Sequence, residues 1–337
     1  MTTSATPVKG RVPLRALSGR RSIPGRVVPV VATFVLFALL FGVGTARYDG
    51  FLSGQVVANL FIDNAFLIVL AVGMTFVIIT GGIDLSVGAV VALSTMVAAA
   101  GLRAGLPAPL VVLLVLAMGS TFGLLMGLVI HHFEIQPFIV TPAGMFLARG
   151  LCFVVGVESI SIKDQTFRTF ATAAIPLSGT VSITWSVVIA LAVVAVAVWV
   201  LHRTRFGRTA YAVGGNENSA MLMGLPVARV KVGVYVISGL CSAIAGLLFA
   251  LYMLSGYGLH AVGMELDAIA SAVIGGTLLS GGVGYVLGSL LGVLVLGVIQ
   301  TLISFQGTLS SWWTKIAIGT LLLLFIVMQR VFMRRRP

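Results

Sequence analysis

The chain has 337 residues, of which 59% are hydrophobic and 9% are charged, with a formal net charge of +12. Soluble domains carry roughly 25% charged residues, so a mainly water-exposed surface is excluded. The basic residues cluster outside the apolar runs rather than on a folded domain with interleaved aromatics, which argues against nucleic acid as a partner.

The apolar residues lie in runs that are long enough to cross a bilayer. A helical crossing needs about 20 apolar residues, and lipid offers no partner for an unpaired backbone group. The runs also lack the alternating polarity of a transmembrane β-strand. We therefore predict an all-α polytopic membrane protein with about ten transmembrane helices. These are placed near residues 27–44, 60–80, 84–101, 107–130, 138–156, 181–201, 232–254, 267–282, 284–302 and 312–330.

Three groups of basic residues set the predicted orientation. They are Lys9, Arg11, Arg15, Arg20, Arg21 and Arg26; Arg203, Arg205, Arg208, Arg229 and Lys231; and Arg330, Arg334, Arg335 and Arg336. Cytoplasmic segments are enriched in Lys and Arg, so all three groups and both termini are expected in the cytoplasm. The predicted organisation is a basic cytoplasmic tail (1–26), a transmembrane domain (27–330) with a cytoplasmic loop (202–231), and a basic cytoplasmic C-terminus (331–337).

A pattern of the form GGxxLSxG occurs twice. The first copy is Gly81–Gly88 and the second is Gly275–Gly282, and each meets a short apolar segment. Interrupted segments at matching positions in two halves of a transporter point to its translocation pathway. The alternative is chance, because the chain contains 40 glycines.

Charged residues inside the apolar runs are few, and each has two interpretations. Asp84 either lines a solute pathway or gate, or caps the next helix by accepting backbone N–H bonds, and the two roles are compatible. Arg149 either pairs with a carboxylate such as Glu158 or marks a helix end. Glu265 and Asp267 either face solute or cap the segment that begins there. Cys152 and Cys241 lie in apolar runs and are expected in the core.

The polar loop 202–231 contains a predicted short helix. Asn216 can cap it, Glu217 suits its positive N-terminal end, and Gly224 with Pro226 ends it. Its apolar residues are Ala220, Met221, Leu222 and Met223. An apolar knob between basic flanks suits docking into a groove on another protein.

The sequence lacks the common signatures of catalysis. No lysine follows a glycine, so a Walker A motif is excluded, and no HExxH or GxSxG motif occurs. We expect no catalytic residue, no metal site and no cofactor bound by the chain itself. Any ATP chemistry would belong to a partner.

Three stretches resemble the ribose-type permeases of ATP-binding-cassette (ABC) sugar importers. They are Asn64–Leu93, Thr204–Pro226 and Glu265–Gly284, and the similarity spans about residues 30–330. Within that family, Gly307–Gly319 and Thr204–Gly207 are most similar to the galactofuranose importer. The longer basic N-terminal tail departs from the family pattern.

The resemblance implies the ABC importer permease fold and a division of labour in the bacterial inner membrane. The chain would form the sugar pathway with a second permease subunit, which is expected to be a paralogous chain. An ABC ATPase would bind ATP, an extracytoplasmic binding protein would deliver the sugar, and membrane lipid would surround the chains. Ribose or another pentose or hexose is the alternative cargo, and a stand-alone secondary transporter or a membrane enzyme is the alternative class. The pathway residues would be Asp84, Gly81, Gly82, Ser86, Gly275, Gly276 and Ser280. The ATPase-coupling residues would be Gly215, Asn216, Glu217, Ala220, Leu222 and Gly224.

Overall fold

The structure, a computed structural model, describes residues 28–179, 181–308, 310 and 312–334. The predicted basic segment 1–26 and residues 335–337 lie outside this part of the chain. The helices are α1 Val28–Arg47, α2 Gly54–Ile62, α3 Ala65–Ile79, α4 Val87–Arg103, α5 Ala108–His132, α6 Pro137–Val155, α7 Gln165–Thr172, α8 Trp185–Arg203, α9 Arg205–Gly215, α10 Glu217–Leu222, α11 Val227–Met253, α12 Met264–Ile274, α13 Val286–Gln306 and α14 Trp312–Arg334.

Four short strands accompany the helices, although the sequence predicted an all-α protein. Strand β1 (Ile160–Ser161) pairs with β4 (Ser255–Gly256), and β2 (Ala174–Ser178) pairs with β3 (Val181–Thr184), both antiparallel. They lie in the polar segment between α6 and α8 and just after α11. The predicted span 181–201 is corrected here, because its first four residues are strand β3 and the helix begins at Trp185.

The count of ten spans is not confirmed by helix length. In the described chain, seven helices are long and apolar enough to cross a membrane, and the α2–α3 pair, bent by 53°, makes an eighth. Helix α4 has 17 residues and α12 has 11. At 1.5 Å per residue, α12 is roughly 16 Å long, about half of the hydrocarbon thickness. The predicted span 267–282 is therefore a half-helix followed by a loop, and the last helix runs to Arg334 rather than ending at 330.

Helices α3 and α11 form the centre of the bundle. Every residue of α3 except Phe66 is buried, as expected for a helix that is apolar on all sides. Helix α11 packs against α3, α4 and α5, and α13 packs against α1, α3 and α12. Cys152 and Cys241 are both buried, which confirms the prediction that they belong to the core.

Candidate functional site

Two loops interrupt the bundle where α3 and α12 stop. Loop I is residues 80–86, between α3 and α4, and loop II is residues 275–285, between α12 and α13. Both helices end in the same arrangement, in which Gly81 (φ +82°) and Gly276 (φ +93°) adopt the left-handed conformation. The Gly81 N–H donates to Ile78 and the Gly276 N–H donates to Val273. This is the glycine-terminated Schellman ending.

The repeated sequence pattern marks both loops, but its register is displaced by one residue. The pattern pairs Gly81 with Gly275, whereas the helix endings pair Gly81 with Gly276. The next hydrogen bond agrees with the structural register, because Gly82 donates to Val77 and Thr277 donates to Ala272, five residues back in each case. Loop II is also longer than loop I.

The two loops contact each other through backbone atoms. The Gly282 N–H donates to the Ile79 carbonyl oxygen over 2.9 Å. A Cβ atom at Gly281 would lie 2.9 Å from the Gly81 nitrogen. Gly81 and Ser280 are exposed at this junction, whereas Gly82, Gly275 and Gly276 are buried.

Asp84 is buried, with 2% of its surface exposed. Its Oδ1 accepts the Ser86 N–H over 3.0 Å and the Ser86 hydroxyl over 2.6 Å, and its Oδ2 accepts the Ser238 hydroxyl of α11 over 2.7 Å. The first bond turns the chain into α4, and the last ties loop I to the central helix. Asp84 thus orders the start of α4 without being its N-cap, which is Ser86.

Side chains from distant helices donate to backbone carbonyls at the end of α12 and in loop II. Gln329 of α14 donates to the Val273 and Thr277 carbonyls over 3.1 and 3.3 Å, and the Thr33 hydroxyl of α1 donates to the Ile274 carbonyl. In a membrane such groups have no water to bond, so a half-helix needs partners of this kind. Gln329 and Thr33 were not singled out from the sequence, because nothing near them indicates their partner.

Loop I has a corresponding partner in α6. The Thr141 hydroxyl oxygen accepts the Leu85 N–H over 3.1 Å and lies 3.3 Å from the Ile83 carbonyl oxygen. Thr141 is fully buried. Its contact explains how a polar loop can lie inside the bundle, and it too was missed from the sequence.

The predicted short helix in 202–231 exists as α10, and α9 precedes it. The Asn216 side chain caps α10 by accepting the Ser219 N–H over 2.8 Å. Glu217 pairs with Lys231 over 2.9 Å, on a surface where 42% of the Glu217 side chain is exposed. Gly224, with φ +72°, ends the turn, and Gly215 is exposed.

The apolar residues of α10 divide between two faces. Ala220 is fully buried, whereas Met221, Leu222 and Met223 are 58%, 89% and 66% exposed. The predicted apolar knob therefore consists of these last three residues, and Ala220 anchors it to the bundle.

Two charged residues at the end of the bundle opposite α10 make contacts that the sequence did not predict. Arg149 donates to the carbonyls of Gly258 and His260 over 2.6 Å each, so its predicted pairing with Glu158 is wrong. Asp267 pairs with Lys315 of α14 over 2.8 Å instead of capping α12.

The sequence matches the family described as "Branched-chain amino acid transport system / permease component" over residues 56–326. The chain belongs to this permease family. The "Inner membrane ABC transporter permease protein YjfF" of Escherichia coli (strain K12) is 48% identical over 90% of this chain and 92% of its own length. The "Fructose import permease protein FruG" of Bifidobacterium longum is 42% identical over 98% of both. The "Ribose import permease protein RbsC" of Bacillus subtilis is 37% identical over 90% of this chain and 92% of its own length.

These relatives place the chain among the ABC permeases of the ribose and galactose type. It is a multi-pass protein of the inner membrane. No solved structure matches it. The resemblance stated from the sequence is therefore confirmed at the level of the family.

Proposed function

We propose that this chain is the permease subunit of an ABC importer that moves a monosaccharide across the inner membrane. The observation that carries the proposal is α10, an exposed apolar turn that is joined through α9 to the end of α3 and to loop II. Leu222 is its most exposed apolar residue, at 89%. The relatives named as importers of ribose, fructose and galactose support a sugar as the cargo.

The specific cargo that we propose is galactofuranose or a related sugar. This choice rests on the similarity of residues 307–319 and 204–207 to the galactofuranose importer. Ribose or another pentose or hexose is the alternative.

Separate chains supply the other functions. An ABC ATPase binds ATP and docks on α10 through Met221, Leu222 and Met223. A second permease subunit, a paralogue of this chain, completes the pathway, and an extracytoplasmic binding protein delivers the sugar. Glu217 and Ala220 hold α10 in place through Lys231 and the bundle, and Gly215, Asn216 and Gly224 shape its two ends.

Loops I and II lie along the proposed pathway. Asp84, Ser86, Gly81 and Gly82 belong to the first loop, and Gly275, Gly276 and Ser280 belong to the second. Asp84 and Ser86 are buried, so they act by setting the positions of the helix ends rather than by contacting sugar in this conformation, whereas Gly81 and Ser280 are exposed. Alternating access then requires that the two loops move between two arrangements, each favoured by a different ligand state.

A stand-alone secondary transporter is less well supported. It needs charged relays within its spans. In the described chain, Asp84 has hydroxyl and N–H partners, and the two ion pairs are Glu217–Lys231 near α10 and Asp267–Lys315 at one end of α12. These groups are separated along the fold and do not form a chain of proton carriers.

Reconstitution tests the proposal directly. The chain is co-expressed with the ATPase and second permease encoded beside it and placed in liposomes, and ATP hydrolysis is measured with the binding protein and one sugar at a time. Stimulation by galactose preparations that contain the furanose form supports both the importer and the cargo. Stimulation by ribose or fructose keeps the importer and changes the sugar. Failure of any ATPase to co-purify, with no stimulation by any sugar, contradicts the importer.

A further inference from the structure

Helix α9 contacts loop II and the end of α3, where loop I begins. The Tyr211 hydroxyl donates to the Gly284 carbonyl of loop II over 2.6 Å. A Cβ atom at Gly214 would lie 1.8 Å from the Ile79 carbonyl oxygen and 2.6 Å from the Gly282 nitrogen. At this point the backbone of α9 therefore packs directly on the end of α3 and on loop II, without an intervening side chain.

The same helix is followed directly by α10. Asn216 ends α9 and caps α10, so one residue separates the two helices. Helix α10 itself packs on α9 and α11. A displacement of Leu222 can therefore reach the loops through α9 by a route of fewer than ten residues along the chain.

We propose that α9 transmits the movement of α10 to both loops as one rigid unit, and that Tyr211 is the positioning residue that holds loop II to it. The inference rests on the proposed function, because it requires an ATPase bound at α10. The coupling is assigned to the Tyr211–Gly284 hydrogen bond and to the close contact of Gly214, in addition to the exposed turn of α10.

The Tyr211 hydroxyl is suited to this role. Burial, and to a smaller extent the neighbouring Tyr285, raise the pKa of Tyr211 to about 12. The hydroxyl therefore keeps its proton near neutral pH and can donate to Gly284.

The first test compares Tyr211→Phe with Tyr48→Phe in the reconstituted complex. Both changes remove one hydroxyl that bridges two elements, since Tyr48 bonds to Gln306 on the opposite end of the bundle. We expect Tyr211→Phe to keep the ATPase bound and hydrolysing, while sugar uptake per ATP falls about 2- to 10-fold, the factor that one hydrogen bond of ordinary strength contributes. Tyr48→Phe should keep the wild-type ratio. A wild-type ratio in Tyr211→Phe overturns the inference.

A distance measurement tests the rigid unit without removing the hydroxyl. Spin labels are placed at Asn218→Cys on α10 and Ser280→Cys, two exposed positions, while the native cysteines are buried. A second pair joins Asn218→Cys to Phe133→Cys, an exposed position on the turn after α5. With nucleotide, we expect the Asn218–Phe133 distance to change and the Asn218–Ser280 distance to stay constant.

The outcomes separate this inference from the proposed function. A changed Asn218–Ser280 distance, or two constant distances, overturns the rigid unit even if the complex imports sugar. A wild-type complex that neither hydrolyses ATP nor accumulates sugar overturns the proposed function itself.

Discussion

The Gly282 N–H donates to the carbonyl oxygen of Ile79 across a sequence separation of 203 residues. This bond satisfies one of the carbonyls that α3 leaves unpaired at its end and joins loop II to loop I. A buried backbone group without a partner is costly in a membrane, so this hydrogen bond stabilises the position of loop II against the end of α3. The end of α3 and the loop that follows α12 therefore stabilise each other.

Gln329 provides the first prediction. It is 6% exposed and bonds to the Val273 and Thr277 carbonyls at the end of α12. Replacing it with leucine leaves the Thr277 carbonyl without this donor and removes the second bond of the Val273 carbonyl, which also accepts the Gly276 N–H. The free energy of unfolding should therefore fall by about 1–3 kcal/mol. Thermal unfolding of the detergent-purified chain measures the change. Gln300→Leu, at an exposed position on α13, is the matched control and should unfold near the wild-type temperature. Equal transitions for the two variants would contradict the role of Gln329.

Ser238 provides the second prediction. Its hydroxyl donates to the buried Asp84 carboxylate, whereas the hydroxyl of Ser242, one turn later, donates to the Ser238 carbonyl within α11. Both serines are buried. Ser238→Ala removes a bond to a carboxylate, so we expect a loss of about 1.5–3 kcal/mol, against about 1 kcal/mol or less for Ser242→Ala.

The same pair separates the structural role of Asp84 from its proposed role in transport. If Asp84 acts by fixing loop I, sugar uptake in Ser238→Ala should fall with stability, and Asp84→Asn should retain assembly while uptake falls. Uptake that is unchanged in Asp84→Asn would reduce Asp84 to a dispensable element of the turn into α4. Uptake assays in liposomes, normalised to the amount of assembled complex, provide the comparison.

Much of the fold is predictable from hydropathy, because lipid imposes a length on every apolar helix. The seven long helices lie where apolar runs predicted spans. Hydropathy fails where a run is apolar but not helical throughout. Residues 267–282 are apolar enough to be predicted as a transmembrane span, yet Gly275 and Gly276 end the helix at Ile274. Likewise, the break at Asp63 and Asn64 divides a helix that hydropathy treats as one.

The candidate site was predictable to the extent that its signals are local. Glycine pairs and an aspartate within apolar sequence indicated loops I and II, and an N-cap followed by a glycine indicated α10. The structural equivalence of Gly81 with Gly276 was missed because helix endings are set by backbone hydrogen bonds and not by identical residues in the two copies of the pattern. Gln329 and Tyr211 were missed because their partners, Val273 and Gly284, are 56 and 73 residues away.

Leu222 provides the third prediction, which concerns the docking of the ATPase. Leu222→Asp places a charge at the centre of the exposed apolar turn and should prevent the ATPase from co-purifying. Asn218→Asp adds the same charge to an exposed position of the same helix and should leave docking intact. Both variants should insert and unfold as the wild type does, because neither side chain is buried. Co-purification of the ATPase with Leu222→Asp at the wild-type ratio would show that α10 is not part of the docking surface.

The packing of α5 on α11 depends on glycines at spacing four. Gly119, Gly123 and Gly127 lie on one face of α5, against the backbone of α11. A Cβ atom at Gly123 would lie 2.1 Å from the Tyr235 carbonyl oxygen. Small residues allow such close approach, which provides much of the attraction between helices in lipid.

Gly123→Ala is therefore the fourth prediction. Its methyl group cannot be accommodated unless the two helices separate, and overpacking of this kind costs about 1–3 kcal/mol. Gly150→Ala on α6 is the matched control, because a Cβ atom there meets nothing within 4 Å. That change should be neutral or slightly stabilising, since alanine favours a helix interior over glycine by up to about 1 kcal/mol. Thermal unfolding in detergent should thus move in opposite directions for the two variants, or fall for Gly123→Ala alone. If Gly123→Ala unfolds at or above the temperature of Gly150→Ala, α5 and α11 do not pack through this glycine face.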